Sequence, residues 1–344
     1  MTSLMNMKKQ GSRTFLSVRV DETKEACYNP LWFQNGKPIM FTKKTVLWGT
    51  LLGIFTACGI AHAQGEGDKY VLDSLKVLSA MRTVEYDIRI ETLADGKEYS
   101  ARGDYAEQVL PQADPNSFLR SMYRLDIYFW PNTPMANNTE PNQLTFVCPA
   151  PENGDDFRIE QRTSIEGVKK YRKIDLKKLE DRLKQTNSEM FFGQAGEVRN
   201  LGGLAGKIRQ ICRFYEFSVP TQENLQDEET IPTWKLTGTL KKIYHQDLLP
   251  QFGGLNTKGQ YPADFPSDVE IWLGRHNDFP YKIRYLRRTS EKSEQKKLLF
   301  QESFHKVVLN GPPIPAARFA PLPIPEDVFS IPDETDAFIK ELGL

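Results

Sequence analysis

A glycine-rich segment is the first place in this sequence to look for nucleotide chemistry. Residues 202–207 (Gly-Gly-Leu-Ala-Gly-Lys) resemble a phosphate-binding loop, in which backbone N–H groups and a lysine hold the phosphates. The first glycine of that motif would fall at Leu201, and Ile208 stands where Ser or Thr should bind magnesium. We therefore interpret these glycines as a turn into a helix. The sequence also lacks the Gly-x-Ser-x-Gly elbow of esterases and the His-Glu-x-x-His motif of zinc proteases.

Histidine and cysteine supply few candidate metal ligands. His245, His276 and His305 lie on separate segments, and no two of them have the spacing of metal ligands on a helix or strand. We interpret them as surface or hydrogen-bonded side chains, and we expect no metal and no other cofactor. Cys148 and Cys212 each lack a second cysteine nearby, which disfavours a metal-binding or catalytic role. Two alternatives stay open for them, a disulfide or two buried thiols.

Carboxylates are the candidate catalytic groups that are hardest to exclude from the sequence, because glycoside hydrolysis needs only two acids that converge in the folded protein. Several acids fall in predicted loops or at strand edges, and their spacing singles out no pair. We therefore expect no enzyme, and we keep an extracellular hydrolase of envelope polymers as an alternative. The candidate acids are Asp155, Asp156, Asp264, Asp268 and Asp278.

Residues 40–63 have the three parts of a secretory signal peptide. Two lysines stand near the start, an apolar run follows, and Ala-His-Ala ends the segment. Cleavage after Ala63 would deliver the protein to the periplasm or outside the cell. Because a cleaved signal normally stands at the N-terminus, we expect Met40 to be the true start and residues 1–39 to be untranslated or disordered.

Two other interpretations of this segment would place the protein at a membrane. The apolar run approaches the length that spans a bilayer, although three glycines and a histidine lower its hydropathy. Residues 55–59 (Phe-Thr-Ala-Cys-Gly) resemble a lipobox, with the thiol of Cys58 as the acylation site. Acylation there would attach the protein to a membrane. We expect membrane association only if Cys58 is lipidated or the signal is not cleaved.

The charge balance argues against a nucleic-acid partner. The chain has 45 basic and 45 acidic residues, and the two kinds are mixed along the sequence without a basic stripe. The length that remains after cleavage suits one large domain or two small ones, and either could bury a sizeable core. We therefore expect a single domain over 64–344 and no binding of nucleic acid.

The periodicity of apolar residues predicts an α+β fold. A helical pattern gives way to alternating strand patterns, and the regular strand–helix alternation of a parallel sheet is missing. A polar, acidic segment at 219–230 is predicted as a loop or a weak internal boundary. The proline-rich segment 311–332 is predicted as an extended strap over the fold. The clearest predicted elements are a helix at 69–81 and strands at 84–93, 97–108, 121–130, 233–240, 268–273, 281–287 and 298–309.

Aromatic side chains are concentrated in the predicted strands. This content is compatible with a large sheet packed on helices, and also with a curved sheet whose apolar concavity binds a ligand. We expect six side chains to line that concavity or the core behind it: Tyr86, Ile88, Ile90, Tyr123, Ile127 and Trp272.

The order of the elements resembles the LolA-like lipoprotein-carrier superfamily. The matching features are the export signal, an opening helix, a hairpin through Asp95-Gly96, and a late strand pair at 269–273 and 281–286. The resemblance rests on this order alone and transfers no functional residue. It implies a strongly curved, unclosed antiparallel sheet wrapped around covering helices, with a cavity for acyl chains of lipids or lipoproteins. A structural or interaction protein of the envelope is a further alternative, which would use the outer surface.

Overall fold

The computed structural model describes residues 65–94, 97–110, 121–130, 142–149, 157–163, 169–186, 203–226, 229–249, 254–263, 265–320 and 330–341. The predicted signal segment 40–63, its Cys58 and the preceding residues 1–39 lie outside the described residues. The predicted domain boundaries therefore stay predictions.

One antiparallel sheet of 12 strands dominates the described chain. Its strands are β1 (Thr83–Ala94), β2 (Lys97–Val109), β3 (Ser121–Trp130), β4 (Asn142–Cys148), β5 (Phe157–Thr163), β6 (Lys169–Asp175), β7 (Tyr215–Phe217), β8 (Thr221–Gln226), β9 (Thr230–Leu240), β10 (Asp268–Gly274), β11 (Pro280–Arg288) and β12 (Lys296–Leu309). The order across the sheet is β6-β5-β4-β3-β2-β1-β12-β11-β10-β9-β7, and β8 pairs with β9 beside β7. In the described residues β6 and β7 do not pair, so the sheet is not closed.

Five α-helices accompany the sheet in the described residues: α1 (Asp68–Ala80), α2 (Leu176–Thr186), α3 (Gly203–Phe214), α4 (Lys242–Leu248) and α5 (Thr335–Glu341). The α+β class predicted from the sequence is confirmed, with a large unclosed antiparallel sheet and few helices. Among the described helices, none has both the length and the apolar character needed to cross a membrane.

Alternation along the strands gives the sheet two faces. Tyr86, Ile88 and Ile90 of β1 are buried, whereas Arg89 between them is exposed. Side chains of directly opposed residues on neighbouring strands lie on the same face, so the pairing extends both faces across the sheet. We call the face that carries Tyr86, Ile88 and Ile90 the core face, and the opposite one the outer face.

Helices α1 and α3 pack against each other and contribute to the same apolar core as the core face. The stripe of α3 consists of Leu204, Ile208 and Ile211, all buried. Full burial of such side chains stabilises the fold by about 1.5–3 kcal/mol each. The amphipathic spacing of three and four residues is what turns one side of α3 toward this core.

The N-terminus of α1 is fixed against β7. The Asp68 carboxylate accepts the backbone N–H of Gly65 at 3.1 Å and that of Phe217 at 2.8 Å. A Cβ atom at Gly67 would collide with the carbonyl oxygen of Ser218, so only glycine permits this approach of the two backbones. The first turn of α1 therefore lies beside β7, the strand that directly follows α3 in the chain.

The segment after β12 lies against the outer face of β2 and β3. Ile314 and Phe319 pack with Ala106 and Met122 in a small second apolar cluster. The backbone N–H of Ile314 donates to the Gln108 side chain at 2.8 Å. Residues 311–320 therefore lie over the fold where a strap was predicted, and residues 321–329 of that strap lie outside the described residues.

The last described segment extends the other edge of the sheet. The N–H of Lys173 on β6 donates to the carbonyl of Pro332 at 2.8 Å, and the N–H of Glu334 donates to the Lys173 carbonyl at 3.0 Å. This short parallel bridge leads directly into α5 and fixes where that helix begins.

Candidate functional site

Five of the six predicted lining residues lie together on the core face. Tyr86, Ile88 and Ile90 come from β1, and Tyr123 and Ile127 come from β3. All five are less than 9% exposed and belong to one apolar cluster. The alternation that predicted them is the property that brings them to one face.

Trp272 lies on the outer face, apart from the other five. It is opposed by Lys235 on β9 and Lys282 on β11, whereas Ile271 and Leu273 point into the core cluster. Residues 271–273 of β10 are all apolar, so the sequence does not show which alternate residues face the core. Either choice would place apolar side chains there. The indole is nevertheless buried, because cationic side chains cover its ring.

A row of four aromatic rings crosses the core face. Phe304, Tyr86, Tyr105 and Tyr123 lie on β12, β1, β2 and β3, which are successive neighbours in the sheet. The ring centroids are 4.9 Å apart for Phe304 and Tyr86, 4.9 Å for Tyr86 and Tyr105, and 6.2 Å for Tyr105 and Tyr123. Such pairs contribute about 0.5–1.5 kcal/mol each beyond the burial of their area. We call these four residues the aromatic row.

Buried polar groups lie where α3 meets the aromatic row. The Lys207 ammonium on α3 forms an ion pair with the Glu302 carboxylate on β12, and the two side chains are only 10% and 5% exposed. The Tyr105 hydroxyl donates to Glu107 Oε2 at 2.8 Å. A Cβ atom at Gly203 would lie 2.8 Å from the Tyr105 hydroxyl oxygen, so the first turn of α3 rests on this hydrogen bond.

The environment of these groups keeps the two tyrosines neutral. Burial raises the pKa of Tyr86 well above its ordinary value, and the charges of Glu302 and Glu107 raise it further. Burial raises the pKa of Tyr105 in the same way, and its hydrogen bond to Glu107 adds to the effect of that charge. Both hydroxyls therefore remain donors at neutral pH, so the core face presents apolar rings with neutral polar tips.

The sequence analysis missed Lys207, Glu107 and Glu302, although the same periodicity could have revealed them. Lys207 follows Leu204 by three residues and precedes Ile211 by four, which places it on the buried stripe of α3. Glu302 stands midway between Phe300 and Phe304, in the buried phase of β12. A charged residue in an apolar phase is informative because charges are rarely buried without a partner.

A second buried charge cluster lies toward the other end of the core face. Glu160 on β5 accepts hydrogen bonds from Arg158 on the same strand and from Arg172 on β6. The two guanidinium carbons lie 5.2 Å and 5.1 Å from the ring centroid of Phe338 on α5. Burial opposes the charge of Arg158, but Glu160 outweighs it, so the pKa of this guanidinium lies above its ordinary value. The cluster binds α5 to the sheet.

Cys148 and Cys212 are free thiols, so the alternative of a disulfide between them is not realised. Cys148 lies on β4 opposite Tyr123, whereas Cys212 lies in the last turn of α3, which continues into β7 at one end of the sheet. Strand order separates the two positions and explains why they do not pair. Burial raises the pKa of Cys212 to about 12, which keeps it protonated and a weak nucleophile.

The described acids of the hydrolase alternative do not converge. Asp268 is buried and forms ion pairs with Arg288 and, at 3.0 Å, with Lys296. Asp278 lies beyond the other end of β10, in a turn where its φ is +50°. Asp155, Asp156 and Asp264 lie outside the described residues. His245, His276 and His305 occupy α4, the turn after β10 and β12, and no group of three metal-ligand side chains occurs in the described part of the chain.

Comparisons with known proteins give structural neighbours only. No family model matches the chain, and no curated protein sequence matches it. A DUF1329 family protein from Desulfovibrio piger is 10% identical, with a TM-score of 0.33 over 74% of this chain and 95% of that one. A domain from Vibrio parahaemolyticus described as outer membrane lipoprotein-sorting is 6% identical, with a TM-score of 0.25 over 70% and 91% of the two chains.

A LolA superfamily protein from Nitrosomonas europaea is 11% identical, with a TM-score of 0.16 over 73% of this chain and 97% of that one. The structural neighbours thus include a protein of the LolA superfamily. Similarities of this size do not define a function for the chain.

Proposed function

We propose that the core face binds an acyl chain of a lipid or of a lipidated partner, outside the cytoplasm and without catalysis. In this proposal the sheet curves around α1 and α3, and α3 covers the aromatic row when no ligand is present. Binding requires α3 to separate from the sheet, after which the acyl chain occupies the surface that α3 leaves.

The observation that carries the proposal is the buried ion pair between Lys207 on α3 and Glu302 on β12. An interface with a purely structural role gains nothing from such a pair, because well-packed apolar residues of similar volume are often as stable or more stable. When α3 moves away, both charges regain their hydration. The ion pair therefore lowers the free energy of separation below that of an all-apolar interface.

The energies of the two states are of similar size. Exposure of Leu204, Ile208 and Ile211 would cost about 5–9 kcal/mol in total, at about 1.5–3 kcal/mol for each side chain. Burial of about ten acyl methylenes contributes about 8 kcal/mol, at about 0.8 kcal/mol for each. The free energy gained by burying an acyl chain is thus close to the free energy lost when the apolar stripe of α3 is exposed. This balance suits a protein that both loads and releases its ligand.

Native mass spectrometry of the protein purified from its own envelope fraction tests the proposal directly. We expect an acyl lipid at near-stoichiometric level, identified by organic extraction. The proposal would be contradicted if the protein showed only its apo mass after incubation with envelope lipids. Near-UV circular dichroism must show in that case that the protein is still folded. The same spectrum reports the N-terminus: Gln64 for a periplasmic or secreted protein, or acylated Cys58 for one anchored to the envelope.

A pair of variants tests the role assigned to α3. The double variant K207L/E302L replaces the buried ion pair by apolar side chains, and we expect it to take up a fluorescent fatty acid at least tenfold more slowly, because separation no longer regains charge hydration. The control D73N/K76Q removes the exposed ion pair of α1, whose atoms are 2.8 Å apart. The control should take up the fatty acid at the rate of the unmodified chain. The same rate in K207L/E302L would exclude the proposed motion of α3.

A further inference from the structure

A row of polar side chains without any carboxylate crosses the outer face of the four central strands. Lys282 on β11 is directly opposite Ser303 on β12, which is opposite Arg89 on β1, and Arg89 is opposite Arg102 on β2. Neighbouring strands lie about 4.8 Å apart, so the row extends over about 14 Å. Arg89 and Arg102 are exposed, and Lys282 and Ser303 are half-buried. We call these four residues the basic row.

The cations of the basic row have no acidic partner within the described part of the chain, which sets them apart from their neighbours. Arg89, Arg102 and Lys282 form no ion pair there, whereas several other cations of the outer face do. The paired ones are Lys235 with Glu223 and Glu270, Lys306 with Asp87, Arg318 with Asp104, Arg124 with Asp126, and Arg284 with Glu270.

The geometry of the basic row is unfavourable without a counter-charge. Arg89 and Arg102 are directly opposed on antiparallel strands, a position in which like charges destabilise the sheet. Burial lowers the pKa of Lys282, and the nearby charge of Arg284 lowers it further. The charges of Glu91, Glu223 and Glu270 act on Lys282 in the opposite direction, whereas Arg89 and Arg102 form no ion pair with a described carboxylate.

Trp272 holds one end of the basic row in place. The Lys282 ammonium lies 5.2 Å from the centroid of the indole, and Lys235 and Arg284 lie 4.9 Å and 5.1 Å from it. Cation–π contacts of this kind restrict the lysine side chain. The Lys282 ammonium is therefore held over Trp272 of β10, at the end of the row that lies farthest from Arg102.

We propose that the basic row binds a phosphate group. The directly opposed guanidinium groups of Arg89 and Arg102 offer paired N–H donors that match phosphate oxygens, and the Ser303 hydroxyl on the neighbouring strand is a further donor. Lys282 adds positive charge at the end of the row. No carboxylate in the row competes for these donors. The phosphate can belong to an anionic lipid headgroup or to a soluble phosphate compound, and the experiment separates the two sources. This site lies on the face opposite to the proposed acyl site and does not depend on it.

The test compares the full mature chain with two double variants of equal charge. R89Q/R102Q removes the opposed arginines, and K177Q/K242Q removes two exposed lysines, one on α2 and one on α4, outside the basic row. Binding of inorganic phosphate is measured by calorimetry. Binding to vesicles of phosphatidylglycerol, against phosphatidylcholine as the neutral reference, is measured by flotation at about 50 mM salt, where screening is modest.

We expect R89Q/R102Q to lose about tenfold or more in affinity for at least one probe, because each charge-assisted hydrogen bond contributes substantially. The control variant should change by about twofold at most. Phosphate binding without vesicle binding would identify a soluble ligand, and vesicle binding that depends on phosphatidylglycerol would identify a headgroup. Equal losses in the two variants, or no binding of either probe by the unmodified chain, would overturn the proposal.

Discussion

At the scale of single residues, the buried charges of the core face are positions at which the loss of one partner should be costly. We expect Lys207→Met to lower the free energy of unfolding by about 3–5 kcal/mol, because it leaves the Glu302 carboxylate buried without its partner. The double variant K207L/E302L should be as stable as the unmodified chain or more stable, since it removes both charges. Urea unfolding followed by circular dichroism measures both values.

The exposed pair of α1 provides the reference for this comparison. Lys76 and Asp73 form an ion pair at the protein surface, and we expect D73N/K76Q to change stability by less than about 1 kcal/mol. If Lys207→Met proved as mild as this surface variant, the ion pair between α3 and β12 would not be buried in solution.

The buried tyrosines link stability to alkaline pH. Burial raises the pKa of Tyr86, Tyr105 and Tyr123 well above 10, the ordinary value in an unfolded chain. A group whose pKa is raised on folding contributes stability below its unfolded pKa and loses it as pH rises toward the folded value. We therefore expect the urea midpoint to fall as pH increases above about 10.

Absorbance at 295 nm distinguishes this cause from a general loss of stability. The three tyrosinates should appear only together with the loss of near-UV circular dichroism, whereas exposed tyrosines titrate earlier. Early ionisation of all tyrosines in a protein that keeps its near-UV signal would show that the aromatic row is open to water.

At the scale of elements, Phe338 is the largest fully buried side chain that α5 packs against the sheet. Phe338 is fully buried and lies within 5.2 Å and 5.1 Å of the guanidinium carbons of Arg158 and Arg172. We expect Phe338→Ala to destabilise the protein by about 3–5 kcal/mol, through a cavity and the loss of both cation–π contacts. Hydrogen exchange at the amides of Lys173 and Glu334, which bridge β6 to this helix, should become faster.

The same helix contains the matched control for this variant. Asp336 is 82% exposed in its ion pair with Lys178, so Asp336→Asn should change stability by less than about 1 kcal/mol. It should also leave the exchange of both amides unaltered. If Phe338→Ala also left the exchange unaltered, α5 would be held by contacts other than the Phe338 ring.

The elements that the sequence predicted well are those that bury one face. The helix predicted at 69–81 is observed at Asp68–Ala80, and the strand predicted at 121–130 is observed at Ser121–Trp130. The segment 219–230, predicted as a loop, contains β8. Its residues are nearly all exposed and polar, so the strand is held by backbone pairing with β9, which leaves no trace in the pattern of side chains.

The positions of the proposed lining residues could be predicted only where apolar and polar residues alternate clearly along a strand. Alternation placed Tyr86 and Ile127 on one face correctly. It could not place Trp272, because its neighbours Ile271 and Leu273 are also apolar. The basic row was unreadable, since it depends on the pairing register of strands as distant in the sequence as β1 and β12.

At the scale of the whole molecule, one sheet separates two surfaces of opposite character. The core face carries apolar and aromatic side chains with a few buried, paired charges, and the outer face carries exposed and paired charges, Trp272 and the small apolar cluster under the segment after β12. Because adjacent residues on a strand point to opposite faces, Ile88 and Arg89 serve the two surfaces from neighbouring positions. A single sheet can therefore provide two independent binding surfaces.

This arrangement leads to an expectation of independence between the two proposed sites. The variant R89Q/R102Q should lose phosphate binding and retain uptake of a fluorescent fatty acid. K207L/E302L should retain phosphate binding and take up the fatty acid at least tenfold more slowly. If the sheet keeps its shape when either ligand binds, phosphate should leave the affinity for the fatty acid unchanged. Because linkage is reciprocal, the fatty acid should then leave the affinity for phosphate unchanged as well. Titrations of each ligand in the presence of the other measure this directly. A mutual shift in affinity would show instead that the sheet changes shape on loading, so that each surface reports the state of the other.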